Sequence, residues 1–232
     1  MKHFAVIPTH NRPDDLYMLL RTIPPYVDVL VIDNASTPPV MLNQDIVGLN
    51  VQVHRDEEQP PNLSRLWNVG LAWAQNTQRG AQAPEETDEW AVTILNDDVV
   101  LPGGFFELMG DELLTHDVDI AFPGSVGLRC YLNWDNAFPG VGLRLTGWCF
   151  TVRGSSGLRA DESLRWWCGD DDLQAQAVTH GRGTVAVLLP KNMAAALRHK
   201  HPDESTNASP ELRAQTALDM TTFVKKWGQR PW

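Results

Sequence analysis

The chain has 232 residues, 43% of them hydrophobic and 21% charged, with a formal net charge of −10. That length suits one compact domain whose core needs no disulfide or metal staple, and the acidity excludes a general basic footprint for wrapping nucleic acid. The three cysteines, Cys130, Cys149 and Cys168, have no zinc or redox spacing, and no apolar run reaches the roughly 18 residues of a membrane span. A reduced, cytoplasmic chain without integral membrane association is therefore expected.

Phe4 to Ile7 is a short apolar run ended by Pro8, as in a buried parallel strand. Asn11 is positioned to cap a helix with Pro13 in its first turn, and apolar residues recur at helical spacing from Leu16 to Ile23. Val29 to Ile32 predicts a second strand ending at Asp33, and Val51 to Val53 a third. Asn62 to Ala74 predicts a helix, followed by a polar surface loop over Gln75 to Asp88. Trp90 to Leu95 predicts a strand running into Asn96-Asp97-Asp98, with a helix from Gly104 to Leu114. The second half predicts strands over Leu143–Val152 and Thr184–Leu189 and helices over Asp172–Thr179 and Ser209–Trp227, the last capped by Ser209. This β-α-β-α-β order implies a mostly parallel sheet in an α/β/α sandwich, with ligands outside the carboxyl ends of the strands.

Four polar clusters have the residue types of a chemical site. Asp97-Asp98 just past a buried strand repel each other unless a divalent cation joins them, although a solvated turn or helix cap also accommodates such a pair. Asp33 at a strand end suits a ribose hydroxyl or a base edge, and equally a loop cap. Asp170-Asp171-Asp172 offers a general base, or an acidic helix start favoured by the macrodipole. His199-Lys200-His201 points both imidazoles one way if extended, which fits a metal ligand or an exposed pair. Lys225-Lys226-Trp227 with Arg230 and Trp232 fits a docked helix end, or a contact with a membrane, a nucleic acid or a partner.

Several segments together resemble the family 2 type of GT-A glycosyltransferases. Pro8-Thr9-His10-Asn11-Arg12 is similar to that family's PTYNR start, and Val31 to Ser36, with Asp33 and Asn34, to its VDNGS segment. Arg65, Asn68 and Gly70 match its AxNxG helix, and Leu95-Asn96-Asp97-Asp98-Val99 its LNNDV form of the DxD motif. Asp161 to Leu173 aligns without a gap to DExFxxxxEDxDL, with Gly169 where the pattern has Glu, and Arg198-His199 resembles a late metal site. The motifs run from about Ala5 to His201.

The resemblance implies a GT-A domain over residues 1–205, with a nucleotide-sugar half at 1–100 and an acceptor half at 101–205, and a helical appendage at 206–232. It implies an inverting sugar transferase that takes a UDP, dTDP or GDP sugar. Pro8, Thr9, Asn11, Arg12, Asp33, Asn34, Arg65, Asn68, Asn96 and Asp97 would bind the donor, and Asp98 and His199 a Mn²⁺ or Mg²⁺ ion. Asp170, or Asp171 in a shifted register, would be the base, with Trp148, Trp166 and Trp167 on the acceptor side. The acceptor hydroxyl could belong to a glycan, a lipid carrier, a protein or a modified base. A non-catalytic sugar-nucleotide or glycan-binding module on the same fold, and a metal-dependent hydrolase, are the alternatives. The oligomeric state stays open.

Overall fold

A computed structural model describes residues 1–42, 48–81, 89–124, 128–130, 144–201 and 209–231. The first half contains β1 (Lys2–Thr9), α1 (Pro13–Leu20), β2 (Asp28–Asn34), β3 (Asn50–Asp56), α2 (Leu63–Ala81), β4 (Trp90–Leu95), β5 (Val99–Val100) and α3 (Phe105–Thr115). The second contains β6 (Ile120–Gly124), β7 (Leu128–Cys130), β8 (Cys149–Arg153), α4 (Gly169–His180), β9 (Thr184–Leu188), α5 (Lys191–Ala196), β10 (Arg198–His199) and α6 (Pro210–Trp227).

Eight strands form one mixed, mostly parallel sheet in the order β3-β2-β1-β4-β8-β6-β9-β7, and β5 and β10 form a separate antiparallel ribbon. β1 pairs in parallel with both β2 and β4, and β2 with β3. β8 runs antiparallel between β4 and β6, and β7 runs antiparallel to β9. The middle of β1, Phe4 to Ile7, is apolar and buried because both faces of the sheet are covered there. Its side chains alternate between two cores. Ala5 and Ile7 pack with Leu16 and Leu19 of α1 and Phe105 and Met109 of α3. Phe4 and Val6 pack with Leu66 and Leu71 of α2 and Leu173 and Ala177 of α4. α2 lies close against β1: a Cβ at Gly70 would sit 2.3 Å from Val6 Cγ1, so only glycine fits that helix face.

The chain leaves β1 for β2 and β3 on one side and then crosses to β4 on the other. Strand order therefore reverses between β1 and β4, where an open α/β sheet forms its ligand crevice. Ser209 caps α6 as its sequence predicts, its Oγ accepting from Leu212 N at 3.2 Å. No helix among the described residues is long and apolar enough to cross a membrane.

Four elements differ from expectation, among them α4, which starts at Gly169 rather than Asp172. Asn11 does not cap α1: Arg12 occupies that position, while Asn11, at φ 56°, accepts from Thr37 N through Oδ1 and so ties β1 to the turn after β2. α2 runs on through Ala81 rather than ending at Ala74, because its polar residues after Ala74 still form an amphipathic helix with Gln78 buried. The rest of the expected loop, 82–88, lies outside the described residues. The strand expected from Leu143 starts at Cys149: Leu143 lies outside the described residues, and residues 144–148 are irregular.

Candidate active site

The carboxyl ends of β1, β2 and β4 open into a cavity of about 830 Å³. Eleven residues expected at the site line it: Pro8, Thr9, Arg12, Asn34, Asn96, Asp97, Trp148, Trp166, Trp167, Asp170 and His199. The other six are not among its lining residues; Asn11 lies on the exposed surface, and all six are engaged in hydrogen bonds or ion pairs near it.

Asp33, 1% exposed, accepts from Ser36 N at 3.0 Å and Val40 N at 2.9 Å, and pairs with Arg55 Nη1 at 2.6 Å. Burial alone would raise its pKa, but these donors outweigh it and hold the carboxyl below its ordinary value. Arg65 pairs with Asp56, and Asn34 Nδ2 donates to the same carboxylate at 3.3 Å. Asn68 fastens the segment before α4 onto α2, accepting from Ala160 N and donating to Ala160 O, both at 2.9 Å. Asn11, Asp98 and Asp171 are the remaining three.

The Asp97–Asp98 pair splits its duties. Asp97 lines the cavity, accepts from Thr9 Oγ1 at 2.7 Å, and is pushed up to about 6 by burial. Asp98 is 1% exposed and turns away, toward the β5–β10 ribbon. Its Oδ2 accepts from His201 N at 3.1 Å and from Arg12 Nη1 at 3.4 Å. Its Oδ1 is buried without a hydrogen-bond partner, 3.3 Å from His199 Nε2. Burial would raise Asp98, but His199, Arg12 and the His201 N–H outweigh it and lower its pKa. The pairing of His199 with Val99 across the ribbon brings residues a hundred apart together. His199 also stacks on Trp148, with ring centroids 5.2 Å apart and planes 7° from parallel. The Trp148 carbonyl accepts from Asn96 N at 2.9 Å.

The three acids of α4 point three ways because a helix turns by about 100° per residue. Asp170 lines the cavity, and burial raises its pKa, against the opposing pull of the Arg144 guanidinium. Asp171, fully buried, receives a two-pronged ion pair from Arg144, Nε to Oδ1 at 2.7 Å and Nη2 to Oδ2 at 2.8 Å. Burial and the neighbouring Asp170 still push Asp171 up, to about 7. Asp172, also fully buried, pairs with Lys226 Nζ at 2.7 Å and accepts from Trp227 Nε1 at 2.8 Å. The sequence's basic-aromatic tail is thus in part a docked helix end; Trp232 lies outside the described residues.

α4 starts tightly. Cys168 holds a left-handed φ of 62°, and a Cβ on Gly169 would meet Ser64 Oγ at 2.6 Å and the Trp67 ring at 3.1 Å. A glutamate at position 169, as in the DExFxxxxEDxDL pattern, would have to displace the Ser64 hydroxyl and crowd the Trp67 ring of α2. Arg144, Trp67 and Ser64 also line the cavity and were not legible as site residues. No spacing in the sequence links Arg144 to Asp171, since the fork forms only in the folded chain.

No model of a known protein family matches the chain, and no curated protein sequence matches it. Solved structures do match. Staphylococcus aureus TarS 1–349 superposes with a TM-score of 0.57 at 16% identity, over 98% of this chain and 72% of that one. The fold is GT-A-like. TarS 1–349 in complex with UDP-GlcNAc gives a TM-score of 0.58 at 14% identity, over 97% of this chain and 67% of that one. The longer TarS structure gives 0.56 at 14% identity, and this chain spans 44% of it.

Proposed function

We propose that the chain is a glycosyltransferase that moves a sugar from a nucleoside diphosphate sugar to an acceptor hydroxyl, with inversion. One observation carries the reading: a single cavity at the strand-order reversal is lined by Thr9, Arg12, Asn34, Asn96 and Asp97 and also by Asp170, a carboxyl with a raised pKa. The similarity to TarS, whose structure was solved with UDP-GlcNAc, supports a nucleotide-sugar donor.

The residues fit a divalent ion shared with a substrate. Asp98 Oδ1, buried and without a hydrogen-bond partner, faces His199 Nε2, while no group of three or more His, Cys, Asp or Glu side chains that could hold a metal occurs among the described residues. Asp98, through a carboxylate oxygen, and His199, through an imidazole nitrogen, would hold the ion, with substrate oxygens and water left to complete its shell. When bound, such an ion supplies Lewis-acid stabilisation of the leaving diphosphate.

The chain's own residues do the rest. Arg12, beside Asp97 and Asp98, offers positive charge to the donor phosphates. Asp170 takes the proton from the acceptor hydroxyl as that oxygen attacks the anomeric carbon, in one in-line displacement. Its raised pKa makes it a better proton acceptor than an ordinary carboxylate. Asp171, held by Arg144, keeps a second charge beside Asp170 compensated. The faces of Trp148, Trp166 and Trp167 suit the C–H surfaces of sugar rings and exclude water.

A thermal-shift panel of UDP-, dTDP-, GDP- and CDP-sugars, with and without Mn²⁺, tests the reading. A donor at 100 times its Kd stabilises the fold by about 2.7 kcal/mol. One nucleotide class is expected to stabilise, and more so with Mn²⁺. No shift with any of them overturns the reading, and binding without turnover leaves a non-catalytic sugar-nucleotide module.

A further inference from the structure

The mechanism above uses Asp170 and leaves two fully buried acids, Asp172 on α4 and Asp219 on α6, without a task. Their partners are reciprocal. Asp219 Oδ2 accepts from the backbone N–H groups of Trp166 and Trp167, each at 2.7 Å, and its Oδ1 accepts from Gln215 Nε2 at 2.7 Å. Asp172 Oδ1 accepts from Trp227 Nε1 and pairs with Lys226, while its Oδ2 accepts from Gln176 Nε2 at 2.7 Å. So α6 sends a carboxylate into the turn that leads to α4, and α4 sends one into the end of α6. Phe223 closes the seam against Leu164 and Cys168. Buried carboxylates persist only where they are fully compensated, and this arrangement fixes the turn's backbone more tightly than apolar packing alone.

The other end of α6 reaches the cavity. Ser209, Glu211 and Leu212, at the start of the helix, line it together with Trp166, Trp167 and Asp170. This wall combines two indoles, one aliphatic side chain and two carboxylates. Indole faces and Leu212 match the C–H face of a pyranose, and carboxylates accept from its hydroxyls. The same carboxylates repel a polyanion.

We propose that α6 forms one wall of a subsite for a neutral carbohydrate acceptor and that Asp219 is its positioning residue, holding Trp166 and Trp167 in register with Asp170. The proposal rests on the glycosyltransferase reading for the word acceptor, but its binding test does not need turnover. The full chain, with UDP and Mn²⁺ present, is titrated with maltotriose, cellotriose and chitotriose while tryptophan emission is followed. UDP binding is measured separately by calorimetry.

At least one trisaccharide is expected to change the emission. Asp219→Asn keeps the side-chain shape and removes the charge, and it is expected to weaken that trisaccharide tenfold or more while the Kd for UDP stays within twofold. Leu212→Ser, on the partly exposed first turn, is expected to give the same split and serves if the Asp219 variant fails to fold. The proposal is overturned if the wild type binds none of the three, if the variants weaken UDP and trisaccharide alike, or if they weaken neither. Trisaccharide binding that depends on Asp219 in a chain that binds no nucleotide would support the wall and overturn the donor reading. Turnover of a UDP-sugar without trisaccharide binding would do the reverse.

Discussion

Arg144→Met removes the one guanidinium that forks onto Asp171 and leaves a chain of similar length in its place. Asp171 is fully buried, so at a pH where it is ionised the variant holds an uncompensated charge, at a cost of about 3–5 kcal/mol. The carboxyl can escape by taking up a proton. Its pKa in the fold is already about 7, against 3.8 unperturbed, so its ionisation opposes folding: stability is fully present below pH 4 and is lost as pH rises through 7. At about 1.36 kcal/mol per pKa unit, that loss is on the order of 4 kcal/mol in the wild type. Without Arg144 the folded pKa rises further, and the gap between variant and wild type widens with pH. At pH 5 Asp171 is protonated in both, and the variant loses only the fork, about 0.5–1.5 kcal/mol. At pH 8 it loses about 3–5 kcal/mol, or about 6–20 °C in Tm for a chain of this size. Urea unfolding followed by circular dichroism at the two pH values measures both. An equal difference at pH 5 and pH 8, or one under about 1 kcal/mol at pH 8, would refute the argument that Arg144 compensates the Asp171 charge once it forms.

Other outcomes follow from the same geometry. The base must be deprotonated to act, so transfer is expected to fall as pH drops through the raised pKa of Asp170; a kcat/KM profile flat down to pH 4 would contradict this. Asp98→Ala is expected to abolish the extra thermal stabilisation that Mn²⁺ adds to a bound nucleotide, and an unchanged Mn²⁺ effect would remove Asp98 from the ion's ligands. Gly70→Ala drives a methyl to 2.3 Å from Val6 Cγ1, which should destabilise by about 1–3 kcal/mol. A melting temperature within a degree of wild type would show that α2 does not pack against β1 as described.

The apolar runs of β1, β2, β4 and β9 were legible because a strand covered on both faces has to be apolar throughout. Ser209 followed by Pro210 marked the start of α6 for an equally local reason. The short β5–β10 ribbon was not legible, since two residues per strand carry no period, yet it is what sets His199 against Asp98. Asp33, Arg65 and Asn68 match a motif, and in the fold their side chains meet Arg55, Asp56 and the Ala160 carbonyl, partners that residue type and spacing alone do not reveal. The Asp170–Asp172 run shows the same limit: one helical turn sends its members to a cavity, an arginine and a distant helix.

The central claim is that Asp170 is the base of a sugar transfer from a nucleotide donor bound in this cavity. It is tested most directly by release of nucleoside diphosphate from whichever sugar nucleotide stabilises the fold, comparing wild type with Asp170→Asn. The account predicts Mn²⁺-dependent release that falls by a factor of about 10²–10⁴ in the variant, with donor affinity within a few fold. Release at the wild-type rate by Asp170→Asn, or a sugar product that retains the donor's anomeric configuration, would contradict it.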